Sequence, residues 1–254
     1  MAAAARRLGI PAGLYAKGSL AAARALRSPL MSYYPNFSSV RLEEIERRLV
    51  GADLIPSQVP LLQDLASNLK TLRSAGLKTV QDLREALKGK KGPGNLACLT
   101  GIPLEYLILL RRTVESFLPK PVRIRDYAGI DPAARIALGS AGIADSPALF
   151  EEARTRSARR ALGNRTGLSA STIMELLSLA DLSRIPYVGA TFARIILEAG
   201  YGGVAAVARA DPVALDARIR EANARLRLYK GKIGLRDIRR LVRMAGDIAD
   251  EAEW

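Results

Sequence analysis

An Ala-Gly pair that recurs in similar surroundings constrains the fold more than any other feature of this chain. It occurs in three stretches, LRSAGLKTVQDL, LGSAGIADSPAL and ILEAGYGGVAAV (residues 72–83, 138–149 and 196–207). Gly76 and Gly101 are 25 residues apart, and Gly142 and Gly167 have the same spacing. Self-similarity of this kind is typical of tandem structural units, and here it predicts three related units of roughly 55–66 residues each.

Local signals indicate that every unit is helical. Three glycines follow apolar segments and are expected to end helices in the left-handed conformation: Gly76, Gly142 and Gly200. Five side chains are expected to cap the starts of helices: Thr79, Asp131, Ser146, Ser169 and Asp211. The sequence therefore predicts an all-α fold of tandem units without a sheet, made of roughly a dozen or more short helices packed on one another. Since only glycine is unstrained at a left-handed position, Gly200→Val is expected to cost more stability than Gly203→Ala.

The composition agrees with a helical protein that has a core. Apolar residues make up 49% of the chain and aromatic residues only 5%, so the core must consist mainly of Ala, Leu, Ile and Val. The single cysteine, Cys98, lies among apolar neighbours and is expected in the core. Because one cysteine cannot form an internal disulfide, it suggests a reducing compartment. No apolar run approaches the roughly 18–20 residues of a membrane span. We therefore expect a cytoplasmic bacterial protein, or one of an organelle matrix if the source is eukaryotic.

The charge is unevenly distributed along the chain. The net charge is +14, and residues 1–42 contribute six bases and no acid. Residues 225–243 hold eight bases and one acid, and DIADEAEW follows at 247–254. This block is either a polyanion site with an internal competitor or a solvated face with local ion pairs. The predicted segments are a basic N-terminal arm (1–45), three helical repeat units (46–122, 123–180 and 181–246) and an acidic tail (247–254).

Three interpretations compete for the basic N-terminal arm. In the first interpretation, the arm is a targeting peptide of the mitochondrial type. In the second, it lies on nucleic acid, with Tyr33, Tyr34 and Phe37 as stacking groups. In the third interpretation it wraps over the protein's own body or over a partner, with SYYPNF as the packing anchor.

The stretch IPYVGATFARIILEAGY (residues 185–201) combines apolar anchors with a turn. Ile185 and Val188 are the anchors, and Gly189 allows close backbone approach. The stretch resembles a helix-hairpin-helix motif, whose usual hairpin is glycine–apolar–glycine followed by a helix; Tyr187 stands where the motif normally has its first glycine. Over about residues 123–246 the chain resembles an uncharacterised, mostly bacterial family of tandem helix-hairpin-helix domains, through stretches that include RTGLSASTIMELLSLADLSRIPYVG (165–189) and AGYGGVAAVARADPVALDARIREANA (199–224). That resemblance implies the fold and points towards nucleic acid.

In motifs of this kind the backbone N–H groups at the start of the second helix face a nucleic-acid phosphate, because unpaired amides and the helix dipole suit an anion. Here these groups belong to Gly189, Ala190 and Thr191, with Arg194 nearby. The basic block is expected to extend the same surface with Arg225, Arg227, Lys230, Lys232, Arg236, Arg239, Arg240 and Arg243. The alternative for the hairpin is a purely structural turn.

The absence of histidine narrows the function. It removes imidazole bases, most zinc sites and Ser-His or Cys-His nucleophiles. We expect no catalytic residue, metal, cofactor or small-molecule substrate, and thus no enzyme. The sequence predicts a nucleic-acid-binding protein without sequence specificity, for DNA or RNA. The alternative is a helical scaffold or accessory subunit of a larger protein or ribonucleoprotein assembly that docks through the arm and the hairpins.

Overall fold

A computed structural model describes residues 33–50, 54 and 56–254 of the chain. In these residues there are thirteen α-helices, two 3-10 helices and no strand, so the predicted all-α fold without a sheet is confirmed for them. The helices before residue 122 are α1 (Leu42–Val50), the 3-10 helix η1 (Pro56–Leu62), α2 (Leu65–Ser74), α3 (Val80–Ala86), α4 (Gly92–Thr100) and α5 (Leu104–Glu115). The helices after it are the 3-10 helix η2 (Ile124–Asp126), α6 (Pro132–Ser140), α7 (Ser146–Ala153), α8 (Arg156–Thr166), α9 (Ala170–Leu182), α10 (Ala190–Glu198), α11 (Val204–Ala208), α12 (Pro212–Leu226) and α13 (Leu235–Gly246).

Helices α2–α5 and α6–α9 repeat the same local geometry. Gly101 ends α4 and Gly167 ends α8, both in the left-handed conformation, with φ of 73° and 71°. In the last turn of each helix a threonine hydroxyl, from Thr100 or Thr166, donates to a backbone carbonyl four residues earlier, at 2.6 and 2.7 Å. The sequence repeat is therefore also a repeat of helix ends.

Two isolated antiparallel bridges provide a second sign of repetition. One joins Arg41 to Thr79 and the other joins Arg123 to Asp145. Backbone N–H···O bonds of 2.7–3.2 Å flank each bridge. Thr79 and Asp145 are the residues directly before α3 and α7, so each bridge fixes the start of an equivalent helix to the segment that enters its unit.

Most of the predicted helix ends are confirmed. Gly76, Gly142 and Gly200 have φ of 93°, 77° and 91°. Thr79 and Asp82 form a reciprocal capping box at the start of α3. Side chains also cap α6, α9 and α12 as expected, from Asp131, Ser169 and Asp211.

The predicted cap at Ser146 is wrong by one residue. Asp145 caps α7 by accepting the Ala148 N–H at 3.0 Å, and Ser146 is the first helical residue. The buried Ser146 hydroxyl instead accepts the backbone N–H of Val122 at 3.0 Å. Aspartate and serine are both good N-cap residues, and the burial of the Ser146 side chain leaves this role to the residue before it.

The buried apolar residues form two clusters. The first extends from Phe37 to Val114, and the second contains Tyr33 together with residues between Val122 and Ala245. The predicted second and third units therefore share one core, and the boundary proposed between residues 180 and 181 falls within α9. The boundary proposed between residues 45 and 46 likewise falls within α1.

Cys98 does not lie in the core, contrary to the expectation from its neighbours. It is exposed on α4, whose buried face is formed by Pro93 and Leu96. The aromatic residues in the last part of the predicted arm are buried instead: Tyr33 and Phe37 belong to the two clusters, and Tyr34 is half-buried. Tyr33 and Phe37 thus act as packing anchors and are not accessible for base stacking. The predictions for residues 1–32 fall outside the described residues.

A buried ionic and hydroxyl network stabilises the second cluster. Asp181 and Arg184 form an ion pair of 2.8 Å, and both side chains are almost fully buried. The Arg184 guanidinium also donates to the backbone carbonyls of Tyr33 and Ala249. Nearby, the Tyr127 hydroxyl bonds to the Leu179 carbonyl, and burial raises the pKa of Tyr127 to about 12. The network connects segments that are far apart in sequence.

Candidate nucleic-acid interface

The connection between α9 and α10 is a short turn held by apolar anchors. Ile185 and Val188 are buried, and the Val188 N–H donates to the Ile185 carbonyl at 3.0 Å. Tyr187, between them, has φ of 69° and is exposed. α10 then starts directly after Gly189, as the sequence indicated.

The start of α10 presents backbone amides to solvent. Gly189 is the N-cap residue and provides no capping side chain, whereas α6, α8, α9 and α12 are each capped by the side chain of their N-cap residue. The first helical bond runs from the Ala193 N–H to the Gly189 carbonyl at 2.9 Å, so the amides before Ala193 have no acceptor within the helix. Gly189 and Thr191 are exposed and Ala190 is half-buried. The positive end of the helix dipole adds to the attraction for an anion.

A groove borders this turn and connects it with the first unit. We call it the hairpin groove; it is lined by Arg112, Glu115, Ser116, Leu118, Lys120, Val122, Tyr187, Val188 and Gly189. Its volume is about 570 Å³. Arg112 and Lys120 are exposed, and the Glu115 carboxylate forms an ion pair with Arg84 at 2.9 Å. The groove therefore combines helix-start amides with two basic side chains that the sequence interpretation did not include.

The loop between α12 and α13 lies beside the first turn of α10. The Asn223 side chain holds the loop by binding both the N–H and the carbonyl of Tyr229, at 2.9 and 2.8 Å. The Tyr229 ring packs against Phe192 with ring centroids 6.4 Å apart. The exposed Lys230 and Lys232 follow in the same loop. The structure thus places part of the predicted basic block near the predicted amides, with Arg227 exposed at the left-handed end of α12.

Arg194 and Arg225 lie away from the exposed amides. The Arg194 side chain is buried, forms an ion pair with Glu175 at 2.6 Å and donates to the Ala128 carbonyl at 2.8 Å. Arg194 therefore connects helices and does not extend the exposed surface. Arg225 is exposed and forms an ion pair with Glu198, in the last turn of α10, at 3.1 Å.

The arginines of α13 lie on the side of the helix opposite its buried residues, where α1, α5 and the hairpin residues Pro186 and Tyr187 are its neighbours. Ile238, Leu241 and Ala245 are buried as predicted, and Val242 is partly buried. On the other side of the helix, Arg236 donates to the Leu54 carbonyl at 3.3 Å. Arg240 and Arg243 line a cavity of about 80 Å³ with Tyr187 of the hairpin and with residues of α1 and α5, and Arg239 is exposed. Lys230 and Lys232 thus lie in the loop beside α10, whereas Arg240 and Arg243 share a cavity with Tyr187 of the hairpin; one continuous polyanion surface stays a prediction.

The acidic tail contacts the starts and sides of other helices, and its Asp247 lines the cavity that also contains Arg240 and Arg243. The Glu253 carboxylate accepts the backbone N–H of Arg156 at 2.9 Å, at the start of α8. The Arg156 side chain binds the backbone oxygen of Trp254 at 2.9 Å. Asp247 approaches Arg48 of α1 at 3.9 Å. These contacts attach the tail to α8 and α1.

The described residues form an all-helical protein in which the N-cap residue of α10, like those of α2, α4 and α5, provides no capping side chain. Residues 128–248 match the model of a family described as Domain of unknown function (DUF4332), and this range lies mainly over the second hydrophobic cluster. No curated protein and no solved structure matches the chain.

Two kinds of feature are absent from the residues that the structure describes. No group of three or more His, Cys, Asp or Glu side chains comes together there as a metal site. None of the helices in that part of the chain has the length and apolarity needed to cross a membrane.

Proposed function

We propose that the chain is a non-catalytic protein of tandem helix-hairpin-helix units that binds nucleic acid without sequence specificity. The observation that carries the proposal is the open start of α10, where the amides of Gly189, Ala190 and Thr191 precede the first helical hydrogen bond. Helix starts of this kind bind phosphate because the N–H groups and the helix dipole both point at the anion.

The charges around the hairpin support binding to a chain of phosphates. Arg112 and Lys120 line the groove on one side of the turn, and Lys230 and Lys232 lie in the loop beside α10. One phosphate on the amides would have neighbours within reach of these cations. Contacts to phosphates position a protein on nucleic acid but carry no sequence information, so the proposed binding is non-specific.

The salt dependence of binding tests the proposal. Affinities for a polynucleotide are measured by fluorescence anisotropy over a range of salt concentrations for wild type and for the double variant Arg112→Ala, Lys120→Ala. Each phosphate contact contributes about 0.9 to the log–log slope on duplex DNA and about 0.7 on a single strand. The double variant is therefore expected to flatten the slope by up to roughly 2.

A matched control removes the same charge elsewhere. Lys70 and Lys90 are also exposed and do not line the hairpin groove. The variant Lys70→Ala, Lys90→Ala should keep the wild-type slope. Absence of any binding by wild type at low salt would contradict the proposal and favour the scaffold alternative. The scaffold alternative predicts a protein complex that remains intact at high salt and after nuclease treatment.

A further inference from the structure

Tyr187 has a backbone conformation that its side chain disfavours. Its φ is 69°, in the left-handed region. One unit earlier the equivalent position is Gly129, with φ of 76°; it precedes the N-cap residue of α6 by two positions, as Tyr187 precedes Gly189. The turn before α6 thus has glycine at this position, and the turn before α10 has tyrosine. A bulky residue in this region is strained, whereas glycine is not.

Packing does not account for the tyrosine. Its side chain is 68% exposed, so the apolar ring contributes little to the core and does not offset the backbone strain. Strained residues persist when the surrounding structure imposes their conformation, and they concentrate at functional sites. Ile185 and Val188 supply that support here, because both are buried on either side of the turn.

The position of the ring connects it with the proposed phosphate site. Tyr187 lines the hairpin groove with Arg112, Lys120 and Gly189, and the groove volume of about 570 Å³ is large enough for a nucleotide. The exposed amides begin two residues after it. A phosphate on those amides would place the attached nucleotide beside an exposed aromatic ring.

We propose that Tyr187 is a base-stacking residue and that the nucleic acid bound at the hairpin is single-stranded, an inference that rests on the proposed function. In a duplex both faces of each base are covered by neighbouring bases, whereas a single strand exposes faces on which aromatic side chains stack. Stacking tolerates every base, so this role agrees with non-specific binding.

The test compares single-stranded and duplex DNA on the full chain. A fluorescein-labelled oligothymidylate and a duplex of equal length are titrated with wild type, Tyr187→Gly and Tyr187→Phe. Tyr187→Gly should bind the single strand on the order of 5- to 150-fold more weakly, the loss expected for one stacked base. Tyr187→Phe keeps the ring and should retain wild-type affinity. Duplex affinity should be unchanged in both variants.

Thermal melting tests whether the loss of affinity in Tyr187→Gly is caused by a loss of folding. Because glycine is unstrained at this position, Tyr187→Gly should melt at a temperature no lower than wild type. If wild type binds but Tyr187→Gly binds the single strand equally well, or loses affinity for both probes alike, the stacking role is overturned while the proposed function stands. If wild type binds neither probe, the proposed function fails and the stacking role fails with it.

Discussion

The backbone N–H of Val204 donates to the Oδ2 atom of Asp181 at 2.7 Å, so a buried carboxylate from α9 caps the start of α11. The N-cap residue of α11 is Gly203, which has no side chain for this purpose. The second oxygen of the same carboxylate pairs with Arg184 at 2.8 Å. One aspartate thus caps a helix and neutralises a buried arginine.

Replacing Asp181 is expected to be strongly destabilising. Asp181→Ala leaves the Arg184 charge buried without its carboxylate and the Val204 N–H without an acceptor, and breaking such a buried pair costs about 3–5 kcal/mol. Urea unfolding followed by circular dichroism measures the change. Glu152→Ala, which removes the exposed partner of Arg165, is the control and should cost about 0–1 kcal/mol. Similar losses in the two variants would contradict the role assigned to the buried pair.

Two nearby glycines are predicted to differ in their tolerance of alanine, while the expectation from sequence, which concerned Gly200→Val, stays a prediction. Gly203 has an extended backbone, but a Cβ there would lie 2.5 Å from the Trp254 ring and 2.7 Å from Asp181. Gly203→Ala should therefore cost roughly 1–3 kcal/mol through overpacking. Gly200 has φ of 91°, and the nearest atom to its Cβ is in the flexible Arg218 side chain at 3.5 Å. Gly200→Ala should thus cost only its backbone strain, about 1 kcal/mol.

Melting temperatures of the two variants decide the order. A combined variant, Gly203→Ala with Trp254→Ala, removes one of the two clashes and keeps the one with Asp181. It should recover part of the loss caused by the new Cβ, relative to Trp254→Ala alone. A Gly203→Ala protein as stable as wild type would show that this contact does not restrict the site.

The repeated helix ends predict equal costs at equivalent glycines. Gly101 and Gly167 have φ of 73° and 71°, and nothing lies within 4 Å of a Cβ at either position. Gly101→Ala and Gly167→Ala should each cost about 1 kcal/mol, from backbone strain alone. Gly139, within α6 and also in open space, is the control. Gly139→Ala should stabilise by about 0.5–1 kcal/mol because alanine favours the helix interior. Denaturant midpoints for the three variants provide the comparison.

The capping box at α3 predicts a pH dependence. The Asp82 carboxylate accepts the backbone N–H groups of Lys78 and Thr79, and these hydrogen bonds lower its pKa. A carboxyl whose pKa is lower in the folded state contributes stability above its unfolded pKa, and that contribution is lost as the pH falls through the folded value. Asp82→Asn should therefore be less stable than wild type at pH 7, and the difference should shrink below about pH 4. Urea midpoints at pH 7 and pH 3 measure both differences, and equal differences would contradict a charge contribution.

The sequence is sufficient to locate the helix ends because they depend on local chemistry. Gly76, Gly142 and Gly200 need only their own backbone freedom, and a capping box needs only four consecutive residues. The buried face of α13 could also be predicted, since its apolar residues recur at helical spacing. These features account for the confirmed part of the fold.

Packing between distant segments could not be predicted from sequence. Arg112 and Lys120 reach the hairpin groove only because α5 and the segment after it lie against the turn before α10. Arg194 is three residues beyond the exposed Thr191, yet it lies on the side of α10 that faces Glu175 and Ala128. No local pattern distinguishes an arginine on the open side of a helix from one that pairs with a neighbouring element.

The position of Arg184 couples the local unfolding of two segments that are far apart in sequence. Its guanidinium binds the Tyr33 carbonyl at 3.3 Å and the Ala249 carbonyl at 2.9 Å, and these residues belong to the first and last parts of the described chain. Peripheral segments commonly fray with little free-energy cost, independently of the core. Here, release of either segment deprives a buried cation of an acceptor, so fraying is coupled to the ion pair with Asp181. The two segments should therefore exchange their amide hydrogens through the same opening event, as one cooperative unit.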